Sequence, residues 1–151
     1  MPTHFIGNVH SMSARERRDW AKRWPDFAPS ELASWRGELK IGLAALDGLQ
    51  AVRTGMGGPL HINSAYRNEV HNRHVGGAPR SQHKEGTAFD IALCGRDALA
   101  RQAYGDRIEA LAREHGARGI GRYNSFIHVD WRGGARVRKW DQRSESLLDG
   151  G

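Results

Sequence analysis

Two short stretches of this 151-residue chain bring together residue types able to hold a metal ion and hydrolyse a bond. The first, Ser81-Gln82-His83-Lys84-Glu85-Gly86-Thr87-Ala88-Phe89-Asp90, starts polar and glycine-containing and ends β-prone. It reads as a loop entering a strand that finishes near Leu93, with His83 on the loop and Asp90 in the strand. Strand alternation puts Phe89 and Ile91 on one face and Ala88, Asp90 and Ala92 on the other, so the carboxylate has small neighbours and room beside it. The second stretch, Phe126-Ile127-His128-Val129-Asp130-Trp131-Arg132, alternates likewise: Ile127, Val129 and Trp131 form an apolar face, and Phe126, His128, Asp130 and Arg132 the opposite one. Zinc would account for the ionisable face, because a catalytic zinc site takes three ligands from His, Asp, Glu or Cys and leaves a fourth position to water. His83, Asp90 and His128 are the expected ligands, and zinc is preferred over other divalent metals by ligand type, not by affinity order.

The elements that must position these residues can be read outward from them. Ser30 to Arg53 is expected as one helix with Ser30 as N-cap, since Leu32, Trp35, Leu39, Leu43, Leu46 and Leu49 recur at three- and four-residue steps. Gly55 and Gly57-Gly58-Pro59 end it. Leu60 to Ser64 follows as a strand with Leu60 and Ile62 toward the core and His61 and Asn63 away from it. Periodicity then lapses from Tyr66 to Glu85, apart from a helical turn or two over Asn68 to Val75, and an irregular stretch of that length is expected to line a cleft. Asp97 to His115 reads as the second main helix, with Asp97 as cap, Leu99, Tyr104, Ile108, Leu111 and Ala112 on one face, and Gly105 as a break. Gly119-Ile120-Gly121-Arg122-Tyr123 is a glycine-rich approach that brings backbone close to the cleft.

The remaining candidates weigh less. Arg67, in the irregular stretch, carries a permanent charge and a fork of donors suited to a substrate carboxylate or an oxyanion. His61 is read as an exposed or hydrogen-bonded strand residue, His71 and His74 as solvated histidines, and Cys94, the only cysteine, as a buried inert thiol. Ser13 to Trp24 is expected as a short basic helix capped by Ser13 and ended by Pro25, with Trp20 and Trp24 packed on the domain and the charges in water.

Composition bounds the function. The chain is long enough for one core, so residues 30–143 are taken as the catalytic domain, 1–29 as a basic appendage packed on it, and 144–151 as a flexible tail. Twenty-three Lys and Arg against 17 Asp and Glu give a net charge of +6, which favours polyanionic surroundings such as a cell wall or nucleic acid. No apolar run reaches the roughly 18 residues of a membrane span, and the N-terminus lacks the basic-then-apolar order of a secretory signal. Synthesis in the cytoplasm is therefore expected, with a holin, a phage particle or lysis giving access to any substrate outside.

The order S-x-H-x-x-G-x-A-x-D from Ser81, then F-I-H-V-D from Phe126, with Ser64-Ala65-Tyr66-Arg67 upstream, resembles the zinc D-alanyl-D-alanine peptidase family, whose fold is shared with the Hedgehog signalling domain. The resemblance covers about Phe27 to Trp140. It implies an α+β fold, a small and mainly antiparallel sheet packed on helices with the site on the uncovered face. It also implies one zinc ion on His83, Asp90 and His128, and a carboxypeptidase or endolysin-type endopeptidase, active as a monomer on peptidoglycan stem peptides. Arg67 and Ser81 would contact substrate, and Gln82 is a weaker contact. Many relatives carry Glu or Asp three residues before the last histidine, where this chain has Ser125. Asp130, roughly 6 to 7 Å along the strand from His128, then has two possible roles: general base, or orienter of a ligand histidine through its second nitrogen. Glu85 is a weaker base candidate. Two further readings are a non-catalytic zinc-containing binding module of the same fold and a basic nucleic-acid binder; no zinc-finger or RNA-binding signature supports the latter, so no nucleic-acid partner is expected.

Overall fold

A computed structural model describes residues 3–144 of the chain. The chain opens with strand β1 (His4–Asn8) and helix α1 (Ala14–Arg23), which Ser13 caps by accepting from the Glu16 amide while the Glu16 side chain accepts from the Ser13 amide. Trp20 and Trp24 of this segment are buried and meet edge to face at 4.8 Å, so the tryptophans face the core as expected. Short helix α2 (Pro29–Leu32) follows, with proline in its first turn.

The single helix expected from Ser30 to Arg53 is instead four pieces. After α2 come a 3-10 turn (Trp35–Gly37), strand β2 (Glu38–Gly42) and helix α3 (Leu43–Met56). Arg36 and Gly37 both take left-handed backbone angles, with φ of 62° and 78°, and no α-helix runs through two such residues. Beyond them Leu39 and Ile41 alternate inward at 2% and 0% exposure, a strand period that the leucine spacing had masked. β2 pairs antiparallel with β1, and Trp35, counted in the apolar stripe, is 40% exposed.

The second sheet carries the site. Strand β3 (Ile62–Ser64), helix α4 (Glu69–His74), strand β4 (Ala88–Ala92), helix α5 (Ala98–Glu114), and strands β5 (Gly119–Arg122), β6 (Phe126–Asp130) and β7 (Arg138–Asp141) follow in order. The sheet order is β3-β4-β6-β5-β7, antiparallel except for the β5–β7 pair. Phe89, Ile91, Ile120, Ile127 and Val129 are fully buried and share one core cluster with Leu46, Leu49 and Val52 of α3 and Ile108 and Ala112 of α5. The fold is thus the α+β arrangement expected, with the opposite sheet face left for chemistry.

Several smaller expectations change. Gly119 to Arg122 is itself a strand. Gly105 does not break α5: it is buried, and a Cβ there would press on the Arg122 guanidinium, so glycine admits a buried arginine that pairs with Asp106 and Glu109. Leu99 is 73% exposed and lies off the apolar face. Cys94 is exposed, not buried. His61 is exposed as expected, whereas His71, expected to be solvated, is half-buried, shares a hydrogen bond with Ser34 Oγ and stacks on Trp35. Of the expected tail at 144–151, all but Ser144 lies outside the described residues. Among the described residues no helix is long and apolar enough to cross a membrane.

Candidate metal centre

The register of β4 against β6 builds the centre. Asp90 lies directly opposite His128, and alternation points both side chains away from the core formed by Phe89, Ile91, Ile127 and Val129. His83 arrives from the turn before β4. Ser81 Oγ accepts from the His83 amide, and the backbone amides of Glu85 and Thr87 both donate to the Gln82 carbonyl, which closes the turn. Gly86 completes it with φ of 73°, packed so tightly that a Cβ would strike the Lys40 carbonyl of β2. The glycine of the S-x-H-x-x-G run is therefore set by backbone packing against the small sheet.

Three ligand atoms converge. His83 Nε2 is 3.2 Å and His128 Nδ1 3.0 Å from the same Asp90 oxygen, and the ligand atoms of the trio all lie within 4.8 Å of one another. Each imidazole is held by its other nitrogen: His83 Nδ1–H donates to the Ala65 carbonyl at 2.7 Å, and His128 Nε2–H donates to Asp130 Oδ2 at 2.7 Å. Those bonds leave His83 Nε2 and His128 Nδ1 as the nitrogens facing Asp90, the tautomers a metal requires. Two histidines and a carboxylate with oriented lone pairs fit zinc.

The electrostatics follow the contacts. Burial works against the charge of Asp90, but the neighbouring rings of His128 and then His83 outweigh it and hold the carboxyl far below its ordinary range in the metal-free chain. Asp130 is fully buried, yet the Arg132 fork, followed by His128, holds its carboxyl at about 2. Burial would lower His128, but Asp130 and then Asp90 raise it above 6.5.

Arg67, Ser81, Gln82, His83, Asp90 and His128 all line one cleft of about 310 Å³. Arg67 is half-buried, donates to Ser81 Oγ at 3.2 Å, and has a buried Nε without a hydrogen-bond partner. Asp130 stands elsewhere. Both of its oxygens are engaged by Arg132, at 2.8 and 2.7 Å, and it touches His128 on the ring edge turned away from Asp90. Asp90 is the sole carboxylate among the described residues lining the cleft; Glu85 pairs with Lys40 outside it, and Ser125 is exposed in the turn before β6.

Sequence reasoning missed one wall of the cleft. Tyr123 and Phe126 stack with ring centroids 4.2 Å apart, and Trp140 donates from Nε1 to the Tyr123 hydroxyl at 2.8 Å while its ring lies 5.1 Å from that of His128. Gly121 makes this possible, since a Cβ there would meet the Trp140 indole. Gly119 likewise leaves the space that the Asp130 carboxylate fills. The two glycines on the site face of β5 were the signal for large neighbours, but without β7 in view they pointed only to close backbone approach.

A family model described as Peptidase M15 matches residues 25–130, most of the chain, with His83, Asp90 and His128 all inside the match. No curated protein matches the chain.

Proposed function

Since the chain belongs to the Peptidase M15 family of zinc D-Ala-D-Ala peptidase-like enzymes, we propose that it hydrolyses peptide bonds of peptidoglycan stem peptides, as a carboxypeptidase or an endolysin-type endopeptidase. The observation that carries the reading is the convergence of His83 Nε2, Asp90 Oδ1 and His128 Nδ1 at the floor of an open cleft, with each imidazole fixed from behind. The net charge of +6 suits an anionic wall.

Zinc held by His83, Asp90 and His128 would supply a water activated at neutral pH and a Lewis acid for the carbonyl under attack. The chain's own residues do the rest. Arg67 presents fixed positive charge to the carbonyl oxygen or terminal carboxylate of the substrate, and Ser81 holds the guanidinium in place. Gln82, its Oε1 accepting from Thr87 Oγ1, fixes the floor of the cleft beside His83. Tyr123 accepts from Trp140, so its own hydroxyl hydrogen remains available to a bound carbonyl. Asp130 takes the orienting role: Arg132 keeps it ionised, and it holds His128 in the tautomer that turns Nδ1 inward.

A binding-only role is the second reading, favoured by the absence of a second carboxylate among the described residues of the cleft. Digestion of purified peptidoglycan and of synthetic stem peptides separates the two. New amino groups or released D-alanine, dependent on zinc, support hydrolysis, and zinc-dependent binding without cleavage supports the module.

A further inference from the structure

Between Trp131 and Trp140 the chain reads Trp-Arg-Gly-Gly-Ala-Arg-Val-Arg-Lys-Trp, four cations and no acid. This segment joins β6 to β7 and curves around a solvent-open hollow of about 1010 Å³. Arg132 and Trp140 line both this hollow and the metal cleft, so the two spaces adjoin.

The sheet register fixes where the cations stand. Asp130 is opposite Gly119, which is opposite Arg138; His128 is opposite Gly121, which is opposite Trp140. Because the Trp140 indole covers Gly121 on the site face, Arg138, two residues earlier, projects from that same face. Lys139 projects from the other face and is tied to Glu109 of α5 at 2.6 Å. Arg132 is committed to Asp130. Arg136 and Arg138, both exposed, make no side-chain ion pair or hydrogen bond among the described residues. Two strand spacings across the sheet and two residues along it place the Arg138 backbone about 12 Å from that of His128. That is the span of three to four residues of an extended peptide.

We propose that Arg136 and Arg138 form a carboxylate-recognition subsite that selects peptides bearing an acidic group three to four residues from the cleaved bond. The inference rests on the peptidase reading and narrows its substrate class to acidic peptides. Guanidinium forks match carboxylates, and with hollow and cleft side by side one extended peptide can place its acidic group at the arginines and its reacting bond at the metal centre. A free polyphosphate would not need the metal cleft beside it.

The test uses the zinc-loaded full chain and two fluorescent stem-type peptides, identical except that one carries a side-chain carboxylate where the other carries a carboxamide. The carboxylate peptide is expected to be favoured about three- to tenfold in kcat/KM at low salt, through KM, as two exposed charge contacts would give. In the R136Q/R138Q pair the ratio falls to near unity, whereas in K139Q it persists. No preference in the native protein overturns the subsite, as does a preference that survives R136Q/R138Q with zinc content and melting temperature intact. If neither peptide is cut, the peptidase reading fails on its own, and fluorescence anisotropy with the same peptides decides the subsite: a Kd ratio lost in R136Q/R138Q supports it, and equal affinities overturn it. Tighter binding of a DNA duplex than of the acidic peptide, abolished by the same substitutions, overturns it too.

Discussion

Asp130 Oδ2 lies 2.7 Å from His128 Nε2, on the edge of the imidazole opposite the one that meets Asp90. A general base would act from the open side of the cleft. Asp130 is buried behind the ring with both oxygens engaged by Arg132, the position of a residue that sets the ligand's tautomer.

Asp130→Ala should therefore weaken zinc binding by about ten- to a hundredfold, the usual effect of removing such a partner, and activity should fall with occupancy. Competition with a chromophoric chelator measures the affinity. Unchanged zinc affinity with kcat abolished would restore Asp130 as the base.

The pH dependence of the metal-free protein has two limbs. Asp130 is held at about 2 against an ordinary 3.8, so its stabilising contribution is complete above the ordinary value and disappears as pH falls toward 2. His128 is raised above 6.5, so its contribution is complete below that value and is lost as pH rises through the raised one. Denaturant midpoints of the metal-free protein should accordingly fall as pH rises above about 6.5, and fall again as pH drops from about 4 toward 2. Asp130→Asn should flatten the alkaline limb, and an unaltered limb would remove His128 as its source.

Gly86→Ala should destabilise the protein by about 1–3 kcal/mol, because φ of 73° is strained for alanine and its Cβ meets the Lys40 carbonyl. Thermal unfolding would show a lower midpoint, and zinc affinity should drop as the turn carrying His83 shifts. A midpoint equal to that of the native protein would mean that the Gly86 turn does not pack on β2.

Arg67→Lys keeps the charge but loses the fork. Zinc content should stay the same while kcat/KM falls by about a hundredfold, the scale of losing one positioned donor at a developing oxyanion. Steady-state kinetics on a stem peptide reads this directly, and wild-type rates would assign Arg67 to a structural ion network.

The meeting of His83, Asp90 and His128 was legible because its signals are local. Period-2 alternation around Asp90 and His128 assigned both side chains to one sheet face, and a glycine-containing turn placed His83 beside them. The segment from Trp35 to Gly42 was not legible in that way. Leu39 and Leu43 continue a helical spacing, and only the left-handed angles at Arg36 and Gly37 and pairing with β1 make it a strand. β7 was missed for a different reason: Arg138 and Lys139 are exposed, no buried alternation marks them, and the strand exists through parallel pairing with β5. With β7 went Trp140 and the aromatic wall. The contact that Asp130 makes needed coordinates too, since strand alternation puts it on the face of His128 without saying which ring nitrogen it meets.

The most direct test of the whole account is the zinc content of protein purified without added metal, measured beside His128→Ala. About one zinc per chain is expected in the native protein, with its loss in the variant and a higher melting temperature when zinc is present, as for a metal bound only by the folded chain. A native protein that holds no zinc and gains no stability when zinc is added would contradict it.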